Sequence, residues 1–214
     1  AHLRQIDSST LITTADIRSE RITAIDPEAL VYDHSTSDLP SSIFHLPSSD
    51  LPATIIFTSG SSGRPKAVLH TWGNHYFSAL GSNENIPFGP GDRWLLSLPL
   101  YHVSGLSILF RMLVGGATLV IPSQRYVLAA TIHEHAITHV SLVSTQLIRL
   151  LGSDEGRQAL RQLKAILLGG SAMPRAALDQ AYDLGLPIHV SYGLSEMASQ
   201  VTTTPRDVPM EKRC

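Results

Sequence analysis

A run of hydroxyl and glycine residues, Thr58-Ser59-Gly60-Ser61-Ser62-Gly63, leads into Arg64-Pro65-Lys66 directly behind the apolar stretch Ala53–Phe57. Glycines let backbone N–H groups approach an anion closely, and Ser and Thr oxygens add hydrogen-bonding groups. Lys66 adds a compact cation suited to phosphate. The run is not a P-loop of the G-x-x-x-x-G-K-[ST] kind, because Arg64 and Pro65 stand between Gly63 and Lys66. The plain alternative is a flexible Ser/Gly connector. A second cluster, His133-Glu134-His135 with His139, has residue types that bind metals. It is expected to hold none, because His139 opens the apolar strand Val140–Val143 and breaks the helical face that a ligand pair would share.

These residues need a frame. β-branched and apolar runs at Ala53–Thr58, Trp94–Leu98, Ala117–Ile121, Val140–Val143, Ala165–Leu168 and Ile188–Ser191 predict buried strands. Helical patterns lie between them at about His70–Leu80, Leu106–Val114, Arg125–His135, Thr145–Leu151 and Arg175–Leu184. Continuous apolar strands spaced by helices predict an α/β fold, a mostly parallel sheet with helices on both faces. In such sheets ligands bind beyond the carboxyl ends of the strands. His70 and His75 are expected on the outside of the helix behind the Ser/Gly loop, and Asp92-Arg93 at a turn entering a strand. Before residue 51 the chain predicts only a short strand at Arg21–Ile25, a helix start at Asp26–Leu30 and a Ser/Asp/Pro-rich loop.

Composition narrows the function. The 214 residues carry 16 Lys+Arg against 18 Asp+Glu, a formal net charge of −2, which argues against a nucleic-acid partner held through phosphates. Hydrophobic residues make up 43%, enough for a core and too many for wholesale disorder. The single cysteine, Cys214, excludes an internal disulfide framework and a Cys-based zinc site. It fits a reducing compartment, and the expected location is cytoplasmic. The longest apolar stretch, Gly105–Ile121, is broken by Arg111 and Gly115-Gly116 and is too short for a membrane span.

The Thr58–Lys66 stretch resembles the phosphate-loop signature of the adenylate-forming acyl-CoA synthetases. Three further segments resemble that family's motifs in the family's order: Tyr101-His102, Gly169-Gly170-Ser171, and Tyr192-Gly193-Leu194-Ser195-Glu196. Each has a chemical sense. Gly169-Gly170, at the end of a strand, leaves backbone on which a flat purine can lie. Tyr192 offers a stacking face, and Glu196 is a carboxylate able to hold Mg²⁺ on nucleotide phosphates. The resemblance implies ATP as substrate, Mg²⁺ as cofactor and coenzyme A as second substrate. It assigns the nucleotide to Thr58, Ser59, Gly60, Ser61, Ser62, Gly63, Lys66, Gly169, Gly170, Ser171, Tyr192, Gly193 and Ser195, and the metal to Glu196 and Thr58. Lys66 and His102 are its implied catalytic residues.

Within that family, Leu98–Leu106, Ser141–Leu147, Leu167–Gly170 and Tyr192–Gln200 resemble the o-succinylbenzoate–CoA ligases of menaquinone and phylloquinone synthesis. That resemblance implies an acyl pocket containing His102, Ser104, Gly105, Arg111, Thr145 and Gln146. Arg111 suits a dicarboxylate of which only one carboxylate reacts, since the other needs a fixed cation. The alternatives are another aryl- or acyl-CoA ligase, or a silent nucleotide-binding chain. Small molecules are the expected partners, with homo-oligomerisation left open.

The match has departures. Ser62 and Ser195 stand where the family usually has Thr, Tyr101 where Phe is common, and Ser144 where Pro is frequent. None removes a reacting group. The resemblance runs from about residue 51 to 204, with 1–50 an ill-defined N-terminal segment of the large domain and 205–214 a tail. The family's later segments, including a C-terminal domain with a catalytic lysine, have no counterpart here. The chain is expected to be an incomplete piece of the large domain, cut at both ends.

Overall fold

The computed structural model describes residues 49–58, 65–123 and 126–205. The strand and helix start expected before residue 31 lie outside them, as do Ser59, Gly60, Ser61, Ser62 and Gly63. In chain order the elements are β1 (Pro52–Thr58), β2 (Lys66–Thr71), α1 (Trp72–Asn85), β3 (Arg93–Leu95), α2 (Val103–Gly115), β4 (Thr118–Val120), α3 (Leu128–Glu134) and β5 (His139–Leu142). There follow α4 (Ser144–Leu151), α5 (Asp154–Arg161), β6 (Ala165–Leu168), α6 (Arg175–Asp183), β7 (Ile188–Leu194), a 3₁₀ turn at Ser195–Met197, and β8 (Ser199–Thr203).

The expected α/β architecture is present. Six strands form one sheet in the order β4-β3-β5-β6-β7-β8, parallel throughout except for β8, which runs antiparallel to β7 at the edge. The strands alternate in sidedness as a pleat requires. Leu95, Ile166 and Leu168 join the larger core, whose other members include Ile132 of α3, Leu147 of α4, Leu160 of α5 and Ala181 of α6. Trp94, Ala165 and Leu167 face the other way, against Ile108 of α2. Burial on both faces explains why these strands read as unbroken apolar runs.

Several expectations are corrected. The strand at Ala53–Thr58 does not join the main sheet but pairs antiparallel with β2, Thr58 opposite Lys66 and Thr54 opposite His70. The Ser/Gly loop is therefore a hairpin connection, and Lys66–Thr71 is strand where a helix start was expected at His70. The helix begins one residue after Thr71, whose hydroxyl accepts from Asn74 N while Asn74 Oδ1 accepts from Thr71 N, a reciprocal cap. In consequence His70 and His75 do not lie on an outer face; each is 1% exposed. α5 and β8 were not anticipated. The first is capped by Ser153, which accepts from Gly156 N, and exposes much of its polar surface.

Candidate functional site

An open cavity of about 400 Å³ lies beyond the carboxyl ends of β5, β6 and β7, walled on one side by α2. This is where an open parallel sheet binds ligands. On α2 the spacing of Ser104, Ser107 and Arg111, three then four residues, puts all three on one helical face, and all three line the cavity. His102 lines it too, immediately before the first turn of the helix. Opposite stand Gly169 and Gly170 from the end of β6, and Gly193 and Ser195 from β7 and the 3₁₀ turn. Gly169 meets a tight neighbour: a Cβ there would lie 2.7 Å from Ser191 Oγ, which is held by Leu168 O at 2.9 Å. The cavity thus brings together His102, Ser104, Arg111, Gly169, Gly170, Gly193 and Ser195 from the expected set.

Arg111 dominates the electrostatics. It is 1% exposed, and burial lowers its guanidinium to about 10, still above neutral pH, so the cation persists. Its Cζ sits 5.2 Å from the Trp94 ring centroid, a cation–π contact. Nη2 donates to Gln200 Oε1 at 2.6 Å. Nε and Nη1 are buried with no hydrogen-bond partner. A desolvated cation with two unmet donors at a cavity wall has the chemistry to take an anion, because leaving it unpaired is costly.

The other expected residues lie off this wall. Gln146 spends its amide on structure: Oε1 accepts from Val143 N at 3.0 Å and Nε2 donates to Ser97 O at 3.2 Å. Thr145 is exposed, and Gly105 is buried in the packing of α2. Ser171 is exposed and pairs hydroxyl to hydroxyl with Ser144 at 3.3 Å. Tyr192 is 64% exposed on β7 and does not line the cavity, while Thr58 and Lys66 face each other at the loop end of the hairpin. Glu196 is exposed on the 3₁₀ turn. Among the described residues no three His, Cys, Asp or Glu side chains group as a metal site, and His139 is buried on β5, its Nε2 on Pro87 O at 3.0 Å. Ser141 and Gln200 line the cavity and were not singled out. Ser141 Oγ is buried without a partner. A lone hydroxyl in the apolar strand His139–Leu142 was the available signal.

A histidine network ties the β1–β2 hairpin to the turn bearing Glu196. His70 Nε2 lies 2.5 Å from Ser195 O, and a carbonyl only accepts, so that nitrogen carries the proton. Thr54 Oγ1 is 3.5 Å from His70 Nδ1 and 2.8 Å from His75 Nε2. One placement of hydrogens uses all three contacts: His75 Nε2–H to Thr54, Thr54 O–H to His70 Nδ1, and His70 Nε2–H to Ser195 O. It leaves His75 Nδ1 as a bare acceptor. The His75 ring stacks on Phe110 at 4.2 Å. Burial first, and then the neighbouring His70, lower its pKa to about 4.

The folded state therefore favours neutral His75. Its contribution is complete above pH 6.5 and is lost as pH falls from 6.5 toward 4. Denaturant unfolding across that window is expected to show stability falling with pH. In a His75→Phe chain the fall should be shallower; an identical slope would remove His75 from the acid response.

No helix among the described residues is long and apolar enough to cross a membrane. Residues 3–214 match the family model of the AMP-binding enzymes, and the chain belongs to that family. It is 41% identical over 166 residues to 2-succinylbenzoate–CoA ligase of Bacillus subtilis (strain 168), which covers 76% of this chain and 34% of the relative. The Escherichia coli (strain K12) 2-succinylbenzoate–CoA ligase is 43% identical over 157 residues, 72% of this chain and 33% of the relative. Among solved structures, the B. subtilis o-succinylbenzoate CoA synthetase in complex with ATP and magnesium ion superposes with a TM-score of 0.70 at 40% identity, covering 77% of this chain and 34% of that one. A double mutant of the same synthetase, bound with its product analogue OSB-NCoA, gives a TM-score of 0.71 at 41% identity, covering 77% and 34%. The chain spans about a third of the length of these relatives.

Proposed function

We propose that this chain serves the ATP-dependent activation of o-succinylbenzoate and its transfer to coenzyme A. The observation that carries this reading is Arg111, a buried cation with two unmet donors in a cavity at the carboxyl ends of the sheet. o-Succinylbenzoate has a succinyl carboxylate that reacts and a ring carboxylate that does not. Arg111, with the unpartnered Ser141 hydroxyl lining the same cavity, receives the ring carboxylate and leaves the succinyl arm directed toward the open side. A succinyl oxygen attacks the α-phosphorus of ATP, the bond to pyrophosphate breaks, and an acyl-adenylate forms. The thiol of coenzyme A then attacks the acyl carbon, loses its proton, and AMP leaves.

The chain's own part is binding and orientation. Gly169–Gly170 give the adenine a flat backbone surface and Tyr192 gives it an aromatic face. Ser171, Gly193 and Ser195 frame the nucleotide. The Thr58–Lys66 hairpin connection supplies donors and a cation to the phosphates, and His102 stands at the mouth of the acyl cavity. Magnesium suits Glu196: one exposed carboxylate is what a phosphate-borne Mg²⁺ takes from protein, whereas an all-protein cage would need a cluster absent among the described residues. Glu196 and Thr58 would hold the ion, which would neutralise phosphate charge.

The test is binding of a non-hydrolysable o-succinylbenzoyl-adenylate analogue, against the same analogue lacking the ring carboxylate. The first is expected to bind at least about tenfold tighter, the worth of one charge-assisted hydrogen bond. Equal affinities would point to another acyl-CoA ligase specificity. Exchange of labelled pyrophosphate into ATP with Mg²⁺ and o-succinylbenzoate then separates turnover from binding alone.

A further inference from the structure

The Arg111 guanidinium is held by a neutral group. Gln200 Oε1 accepts from Arg111 Nη2 at 2.6 Å and, on the same oxygen, from Ser82 Oγ at 3.0 Å. Guanidinium donates only, so the amide is oriented without ambiguity, oxygen toward Arg111. Ser82 is 5% exposed on α1. Three elements thus meet through one oxygen atom: α1 through Ser82, β8 through Gln200 and α2 through Arg111. The ion pairs found among the described residues are Arg157–Asp154, Lys164–Asp92 and Arg175–Asp179; none includes Arg111.

A buried arginine usually carries a carboxylate partner, since an amide oxygen repays only part of its desolvation. Glutamate would fit the same space and offer a stronger contact. It would also neutralise the cation. We infer that Gln200 is a positioning and specificity-determining residue: it fixes the Arg111 fork through an uncharged oxygen, so that the positive charge stays available to a substrate carboxylate. The backbone places it for this. Two consecutive residues with positive φ, Ala198 at 56° and Ser199 at 149°, lead out of the 3₁₀ turn, and Gln200 then pairs with Gly193 at the cavity edge. The inference rests on the reading of Arg111 as carboxylate receptor.

The test compares Gln200→Glu with Gln200→Met in the 214-residue chain. The probes are o-succinylbenzoate and 4-oxo-4-phenylbutanoate, the same keto acid without the ring carboxylate, and affinities are read by calorimetry at neutral pH. Wild type is expected to prefer the dicarboxylate. Gln200→Glu, isosteric and still able to hold Arg111, is expected to lose that preference by about 10- to 100-fold, the scale of a charge-assisted contact. Gln200→Met, which removes the tether but adds no charge, is expected to lose a smaller part of it. A purely structural role for Gln200 predicts the reverse order.

Unchanged preference in a folded Gln200→Glu chain overturns the inference and leaves the reading of Arg111 standing. Complete loss in Gln200→Met overturns it as well, and decides the matter by itself if the Glu variant does not fold, because the amide would then be touching the ligand. A wild-type chain with no preference overturns the reading of Arg111, and the inference with it.

Discussion

Arg111→Met is expected to abolish discrimination between o-succinylbenzoate and its monocarboxylate counterpart without weakening the fold. The selectivity lost is about 1.5–3 kcal/mol, the worth of hydrogen bonds to a charged group. Stability follows a different account. Wild type buries a cation with two unmet donors, Nε and Nη1, and replacing such a group by an apolar one of similar volume is neutral or stabilising. Methionine also keeps a favourable contact with the Trp94 ring through its sulfur, and Gln200 Oε1 retains Ser82 as donor. Thermal melting and calorimetric affinity on one preparation check both halves. A variant that melts much lower would show Arg111 to be a packing residue. Unaltered discrimination would remove it from the substrate site.

The second large effect is on stability. At Gly105, in the first turn of α2, a Cβ would lie 2.3 Å from Pro99 O and 2.6 Å from Leu98 O. Both are backbone atoms of the segment between β3 and α2, and neither can rotate away. That segment is also pinned: Ser97 Oγ donates to Ser141 O at 2.5 Å, and Ser97 O accepts from Gln146. Gly105→Ala is therefore expected to destabilise by about 3 kcal/mol, the upper end of the ordinary overpacking range. Gly81→Ala is the control. A Cβ there meets nothing within 4 Å, and a gain of roughly 0.5–1 kcal/mol is expected from the helix interior. Denaturant midpoints at constant m measure both. A near-neutral Gly105→Ala would show that the loop yields and that the tight approach is not required.

Much of the architecture was legible along the chain. Ala165–Leu168 and His139–Leu142 are buried on both faces, so their apolar runs needed no partner information to read as parallel strands. The same holds for Gly169-Gly170, whose place at a strand end follows from where that run stops; Tyr192-Gly193-Leu194, expected just past a strand ending at Ser191, instead continue β7 and pair with β8. β2 was not legible as strand. Lys66–Thr71 alternates exposed and buried only in part, and six residues merge easily into a following helix pattern. α5 was missed for a similar reason: Asp154–Arg161 buries only Gly156, Ala159 and Leu160, a stripe too narrow to stand out.

The family and the order of the motifs were legible in the sequence, together with the residue types from which a chemistry is proposed: hydroxyls and glycines for phosphate, an arginine for a carboxylate, an acid for magnesium. Those properties are local, set by residue types and spacing a few positions apart. Which of them share one cavity, and in what electrostatic state, depends on contacts between distant segments. Arg111 becomes a buried, uncompensated cation because Gln200, 89 positions away, offers it an amide oxygen and Trp94 a ring face. His70 becomes a buried tie because Ser195, 125 positions away, presents a carbonyl. Burial and pairing are relations between distant segments, and a desolvated charge acquires its meaning only from the atoms that the fold leaves beside it.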